Sequence, residues 1–404
     1  METDIKNLLI VGIDSFPIAY SAKEAGYEIC VVDYFGDVDL LHVCSRCETV
    51  IKQRPRQSCG RLELKFKPEI FQEMSESLLQ KYEIDALLLG SGLDDNFDIL
   101  HELNDMVPIL GNSPEVFESV RKKPDFFQAL DHLKIPHPRT IVVRSLEDAK
   151  AAAVDIGFPV VLKPMSCFAG IGIKIVPDSK EIERVFPKVS CVNGTVLVQE
   201  LINGLHGSVS ILATGKQAKV LTLNEQMLGL SFLFQKEPFG YCGNIVPLLP
   251  DDSVCEDCVS IAEKISIHFG LKGSNGIDFV ISDEGTPYVM EVNPRFQGTL
   301  SCVERVLGIN LVEAHVNACL LNTLPTGEKA TPTFCTRLIL YAPRRVSVPD
   351  LTRIREVRDT PLPGAIIEEG EPLCSVFAIG DSRDSSVREA EALSKKIYAM
   401  LRPA

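Results

Sequence analysis

Two short runs, Asn275-Gly-Ile-Asp-Phe-Val-Ile-Ser282 and Pro287-Tyr-Val-Met-Glu-Val-Asn293, alternate apolar and polar residues on either side of Asp283-Glu-Gly-Thr286. Period-two alternation about a glycine-containing turn predicts a β-hairpin. Pairing about a four-residue turn sets Asp278 opposite Glu291, and the alternation puts Glu291 and Asn293 on the face of Asp278. The other face, Ile277, Phe279 and Ile281 with Tyr288, Met290 and Val292, is expected to be core. Two carboxylates side by side repel unless a cation lies between them. Oxygen ligands of this kind suit Mg²⁺, which holds a few carboxylates and completes its shell with water and phosphate. A solvated polar face with an incidental acidic pair would have the same spelling.

The rest of the chain is read around that hairpin. Its 404 residues correspond to two or three domains at about 150 residues each. The first segment alternates strand and helix: Leu8–Gly12, a helix capped by Ser15 with Pro17 in its first turn, Glu28–Asp33, an amphipathic helix over 68–82, and a strand over 85–90. This rhythm predicts a parallel, Rossmann-like sheet. Asp33 would suit a ribose, but the turn Gly12-Ile-Asp-Ser-Phe-Pro17 lacks the three-glycine dinucleotide fingerprint. A second region opens with a helix, Lys123 to Leu133, and continues with strands at Phe158–Pro164, Ile173–Val176, Val196–Ile202 and Ser208–Ala213 before the hairpin. The stretch 324–332 reads as a linker. A third region carries strands at Phe334–Tyr341 and Cys374–Gly380 and a final amphipathic helix over 386–401. The fold class is therefore α/β and α+β, divided 1–111, 112–325 and 326–404.

Composition narrows the partners. The net charge is −14, which argues against binding a nucleic-acid backbone. No apolar run reaches the roughly 18 residues that cross a bilayer. The start, Met1-Glu-Thr-Asp4, lacks the basic residues of a secretory signal. A cytoplasmic protein without membrane or nucleic-acid partners is expected. Thirteen cysteines, an odd number, favour reduced thiols. Cys44-x-x-Cys47 and Cys255-x-x-Cys258 have ligand-like spacing, but neither has a second pair nearby in sequence to complete a zinc site.

Other stretches carry polar chemistry on apolar frames. Lys163 ends the strand Pro159-Val-Val-Leu-Lys163-Pro164, and Met165-Ser166-Cys-Phe-Ala-Gly170-Ile-Gly172 follows it. Small residues and glycines let backbone N–H groups approach phosphate oxygens, although no Gly-Lys-Ser/Thr of a Walker loop is present. A glycine-rich hairpin turn is the plain alternative. Val196-Leu-Val-Gln199-Glu200-Leu201-Ile202 is a strand whose end can offer its backbone to an adenine, with His206 just beyond.

In order along the chain, these pieces are a lysine at a helix start, a lysine at a strand end, a glycine loop, an acidic hinge, Asp278, and Glu291-Val-Asn293-Pro-Arg295. Together they resemble the ATP-grasp superfamily over residues 110–325, with flanks like those of its biotin-carboxylase-like and carboxylate–amine ligase branch. The resemblance implies an ATP-grasp fold with an N-terminal α/β domain and a small β-rich C-terminal domain. Lys123 and Lys163 would hold the ATP phosphates, with Lys122 the alternative to Lys123. Ser166, Gly170 and Gly172 would belong to the phosphate-covering loop. Glu200, Leu201 and Ile202 would meet the adenine, and His206 would lie near the ribose. Asp278, Glu291 and Asn293 would bind one or two Mg²⁺ (or Mn²⁺) ions. Arg295 and Lys163 would be the catalytic cations. Gln199 and His206 stand where many members have an acid. The lid-like stretch 226–243, with Phe232, Phe234, Phe239 and Tyr241, is expected either to close over the site or simply to pack.

The resemblance implies ATP-dependent activation of a small carboxylate as an acyl phosphate for attack by an amine, in a chain for which a homodimer is the commonest assembly. The alternatives are an ATP- and bicarbonate-dependent carboxylase and a non-catalytic ATP-binding module. A biotin-carboxylase-like enzyme would need a glutamate four residues after the arginine, where this chain has Thr299. Pro363-Gly-Ala-Ile-Ile-Glu-Glu-Gly-Glu-Pro372 is carboxylase-like and points the other way.

Overall fold

The computed structural model describes residues 5–165, 169–190, 194–326 and 333–404. Near the start, Asn7–Gly12, Glu28–Asp33, Cys47–Thr49 and Ala86–Leu89 form one parallel sheet, with Asn7–Gly12 between Glu28–Asp33 and Ala86–Leu89. Leu8, Leu9, Ile10, Val31 and Leu87 are wholly buried, as expected of parallel strands covered on both faces. Ser15 precedes the helix Phe16–Glu24 but does not cap it. Its hydroxyl donates to the carbonyls of Gly12 (3.2 Å) and Val32 (3.0 Å), tying two strand ends together.

A small antiparallel sheet follows, in the order Thr140–Val143, Val196–Glu200, Val160–Pro164 and Lys174–Val176. The helices Leu146–Ile156 and Ser179–Ser190 contribute Ala149, Ala153, Ile182 and Val189 to the core beneath it.

The largest sheet has eight antiparallel strands. Its order is Pro287–Asn293, Lys272–Ser282, Gly204–Thr214, Ala218–Leu228, Tyr241–Val246, Phe334–Tyr341, Pro372–Gly380 and Val357–Arg358. The expected division at 325/326 does not interrupt this sheet, because Phe334–Tyr341 pairs directly with Tyr241–Val246. The N-terminal sheet closes against the same body. Ser21 donates its hydroxyl to Glu304 (2.5 Å), Asn310 donates to the Ser21 carbonyl (2.7 Å), and buried His315 bonds the Leu110 carbonyl (2.8 Å).

The hairpin keeps the expected pairing by a different path. Ile281 lies opposite Pro287 and Phe279 opposite Val289, then a β-bulge brings Asp278 opposite Glu291. The extra residue inverts which side chains reach the core. Val289 and Val292 are fully buried with Ile277, whereas Tyr288 and Met290 are only half-buried and leave the expected core face.

Candidate nucleotide site and its acidic hairpin

A cavity of about 1070 Å³ lies between the three sheets. Its floor is the hairpin, with Asp278, Glu291 and Asn293 in the wall. The small sheet supplies Lys163, the glycine loop supplies Gly170 and Gly172, and the strand end supplies Glu200, Leu201 and Ile202. His206 and Arg295 line it as well. Ser166 lies outside the described residues.

Glu291 is the centre of the charge arrangement. Its Oε2 lies 3.1 Å from Lys123 Nζ, 3.5 Å from Arg121 Nη1 and 3.8 Å from Lys163 Nζ. Burial alone would raise its carboxyl, but Lys123, Lys163 and Arg121 outweigh burial and hold it well below the usual range. Lys123 is itself buried behind Glu291 and outside the cavity wall. Burial pulls its pKa down against the support of Glu291. Lys122 points outward to Glu118 and is half-exposed, so Lys123 is the lysine that reaches the hairpin.

Arg121, which sequence reasoning did not select, is buried and lines the cavity. Its guanidinium grips Asp95 through two bonds of 2.7 and 3.1 Å. Such a planar fork fits a carboxylate pairwise. The backbone explains why it was missed. The helix Pro114–Arg121 ends at Lys122, whose extended conformation restarts the chain as the helix Lys123–Leu133. Helical spacing does not carry across that break, and both Arg121 and Lys123 turn inward.

Asp278 accepts hydrogen bonds from the amides of Gln226 (3.0 Å) and Asn293 (3.1 Å). Burial, reinforced by Glu291, pushes its pKa up to about 7. A buried carboxylate destabilised by its carboxylate neighbour fits a divalent cation between the two. Asn293 gives its NH₂ to Asp278, and its oxygen accepts from Arg295 at 3.3 Å. Arg295 is anchored to Asp94 at 2.9 Å. Among the described residues there is no group of three or more His, Cys, Asp or Glu side chains that could hold a metal, so neither CxxC pair has such a set. The candidate cation site is the two carboxylates with an amide as third member.

The stretch from Gln199 to His206, expected to meet adenine and ribose, is less charged. Gln199 is buried and donates to the Thr140 hydroxyl (2.8 Å). The Glu200 carboxylate accepts from the Arg139 backbone (3.1 Å). His206 meets the edge of Phe239 at 6.1 Å, and burial lowers its pKa. Gly170 has φ +75°, and a Cβ there would lie 1.9 Å from the Phe239 carbonyl oxygen, so only glycine fits. The glycine loop thus already touches the lid-like stretch, where the Tyr241 N–H donates to the Ala169 carbonyl (3.1 Å). Phe239 and Tyr241 line the cavity. Phe232 and Phe234 do not: both are exposed, and Phe234 packs edge-on against Tyr398.

Residues 120–299 match the family model of the ATP-grasp domain. The fold is that of the ATP-grasp proteins. Its fold is similar to a biotin carboxylase of Campylobacter jejuni solved as a β,γ-ATP complex, with a TM-score of 0.76 at 18% identity, covering 96% of this chain and 90% of that one. An uncharacterized protein of Methanocaldococcus jannaschii is 25% identical over 381 residues, 92% of this chain and 87% of its own length. The arginine-specific carbamoyl phosphate synthase large chain of Bacillus subtilis is 25% identical over 211 residues, 51% of this chain. The ATP-grasp match spans only 20% of that synthase. No helix among the described residues is long and apolar enough to cross a membrane.

Proposed function

We propose that the chain is an ATP-dependent carboxylate–amine ligase that releases ADP and phosphate. The observation that carries this reading is the half-buried carboxylate Glu291 with three cations around it, beside Asp278 in the cavity wall. The site thus holds cations that can meet phosphate and two carboxylates, Glu291 and Asp278, that can meet a metal ion. A triphosphate with its magnesium ion is the counter-charge such a site fits.

In this reading Lys163 and Arg121 face the phosphates, and Lys123 acts from behind Glu291. Asp278 and Glu291 would hold Mg²⁺, with Asn293 beside them. The ion would neutralise phosphate charge when bound. A carboxylate oxygen of the substrate attacks the γ-phosphorus and ADP leaves, giving an acyl phosphate. The amine nitrogen then attacks the acyl carbon, phosphate leaves, and one proton passes to solvent. The protein's share is positioning and charge stabilisation. Arg295, fixed by Asp94 and Asn293, is aimed to steady the transferring group. The glycine loop against Phe239 and Tyr241 would shield the acyl phosphate from water.

A carboxylase reading has the fold likeness in its favour. Against it, Thr299 occupies the position where a base for bicarbonate would be needed, and its hydroxyl is turned to Ser210 (3.0 Å). ADP release measured with pools of carboxylic acids and amines, with and without bicarbonate, tests the choice. Turnover that needs both an acid and an amine supports the ligase. Bicarbonate-dependent turnover identifies the carboxylase, and no turnover under any condition favours a binding module.

A further inference from the structure

The cavity exceeds the roughly 300–1000 Å³ of ordinary single-ligand pockets, and its second end lies far from the phosphate lysines in character. The N-terminal sheet and the loop after it line that end with Ile13, Tyr34, Phe35, Ile51, Leu62 and Phe66. Tyr34 meets Phe35 and Phe66 edge-on at 4.9 and 5.9 Å, so the wall is an aromatic corner. Set into it are the carboxylates Asp14, Asp37, Asp359 and Glu371.

Arg61 lies 3.8 Å from Glu371, and the cation beside the other three is Arg337, which is already engaged. Its Nη2 lies 2.8 Å from Asp14 and 2.7 Å from Asp359, and it also bonds Ser375 and the Gly298 carbonyl. Asp37 is nine-tenths buried and accepts from the neutral amide of Gln53 at 2.9 Å. Among the described residues no cation lies within ion-pair distance of it. Burial and the neighbouring carboxylates Asp39, Asp33 and Asp359 raise its pKa. Asp359 keeps one carboxylate oxygen, Oδ1, buried without a hydrogen-bond donor. Buried carboxylate oxygens left without donors are costly. Tyr241 is close enough to Arg337 and to Asp278 to feel both charges, so this end adjoins the reacting end.

We propose that this end of the cavity takes a protonated amine with an apolar, ring-sized body, its nitrogen read by Asp37 with the charge of Asp359 behind it, and its body by Phe35 and Phe66 in front of the buried Tyr34. The proposal rests on the ligase reading and names the class of its nucleophile, which is held as the ammonium ion and gives up one proton to solvent before its nitrogen attacks. A zwitterionic amino acid or an acid would bring a second carboxylate into a wall already rich in them, and a small amine would leave the aromatic corner unfilled.

Calorimetric titration of the full chain tests it, using 2-phenylethylamine, 2-phenylethanol, 3-phenylpropionate and ethylamine, with and without a non-hydrolysable ATP analogue and Mg²⁺. The amine with the ring should bind at least tenfold tighter than each of the other three. In Asp37→Asn the preference for the amine over the isosteric alcohol should shrink to within threefold, with the alcohol's affinity unchanged. Asp359→Asn should narrow the preference in the same direction. Equal or tighter binding of 3-phenylpropionate or ethylamine overturns the proposal, as does a preference that both variants retain. If Asp37→Asn does not fold, the wild-type series and Asp359→Asn decide it. ADP release is read separately. Selective amine binding with no ligation in any acid pool would sink the ligase reading alone. Ligation of small polar amines without binding of 2-phenylethylamine would sink this proposal alone.

Discussion

At one end of the cavity a single carboxylate, Glu291, is ringed by Lys123, Arg121 and Lys163; at the other a single guanidinium, Arg337, is gripped by Asp14 and Asp359. Arg337 is buried and Glu291 half-buried, and each lies among ions of the opposite sign. The hairpin end sets cations beside two carboxylates and fits a polyanion with its metal ion. The N-terminal end is short of positive charge and fits a cation. The chain's net charge of −14 conceals this division. An overall acidic balance says little about a site in which three cations converge within 4 Å of one oxygen.

Removing the central ion at either end should give the largest effects. Glu291→Gln is expected to lower ATP-dependent turnover at least ~1000-fold, equivalent to about 4 kcal/mol of transition-state stabilisation. ADP release by a variant whose circular dichroism matches the wild type checks it. Arg337→Met should act on the fold, because it removes a buried guanidinium and leaves the partly buried carboxylates Asp14 and Asp359 without their cation. Breaking such a pair costs about 3–5 kcal/mol, measurable as a lower urea midpoint.

His315 supplies a pH-dependent comparison away from both ends. Its Nδ1 accepts the Ser274 N–H (2.8 Å), its ring stacks on Phe296 at 4.5 Å, and burial pulls its pKa from 6.5 to about 4. Folding therefore favours the neutral ring. The contribution is complete above about pH 6.5 and is lost as pH falls toward 4, a swing of about 3 kcal/mol. Urea titrations between pH 7 and 4.5 should show stability falling with acid, and more shallowly in His315→Gln. The smallest effect belongs to the outward lysine. Lys122→Met should leave melting temperature and nucleotide affinity unchanged, whereas Lys123→Met should weaken nucleotide binding at least tenfold. Equal losses in the two variants would break the distinction between them.

The hairpin end was legible in the sequence for an instructive reason. Alternation alone placed Asp278 opposite Glu291, although the turn is one residue longer than assumed and Met290 forms a bulge. The two departures cancel at the carboxylates and show up only at Tyr288 and Met290, whose faces were assigned wrongly. Local pattern also carried the parallel sheet, because fully buried strands are spelled as continuous apolar runs. The N-terminal end was not legible. Asp14 and Arg337 are separated by 323 positions, and each stands in a segment whose spelling fits an ordinary strand end or sheet strand. Arg121 was hidden by the break at Lys122, where helical periodicity stops being a guide. Pairings of this kind arise from how the N-terminal sheet and the large sheet close on one another, which no window of sequence contains.

The central claim is that Asp278 and Glu291 hold magnesium against a triphosphate lodged by Lys123, Lys163 and Arg121. Calorimetric titration of wild-type and Asp278→Asn protein with a non-hydrolysable ATP analogue, in Mg²⁺ and in EDTA, tests it most directly. The account predicts wild-type binding at least tenfold tighter with Mg²⁺, and a variant in which the two affinities converge. Wild-type affinity that is the same in EDTA, or magnesium dependence that survives in Asp278→Asn, would contradict it.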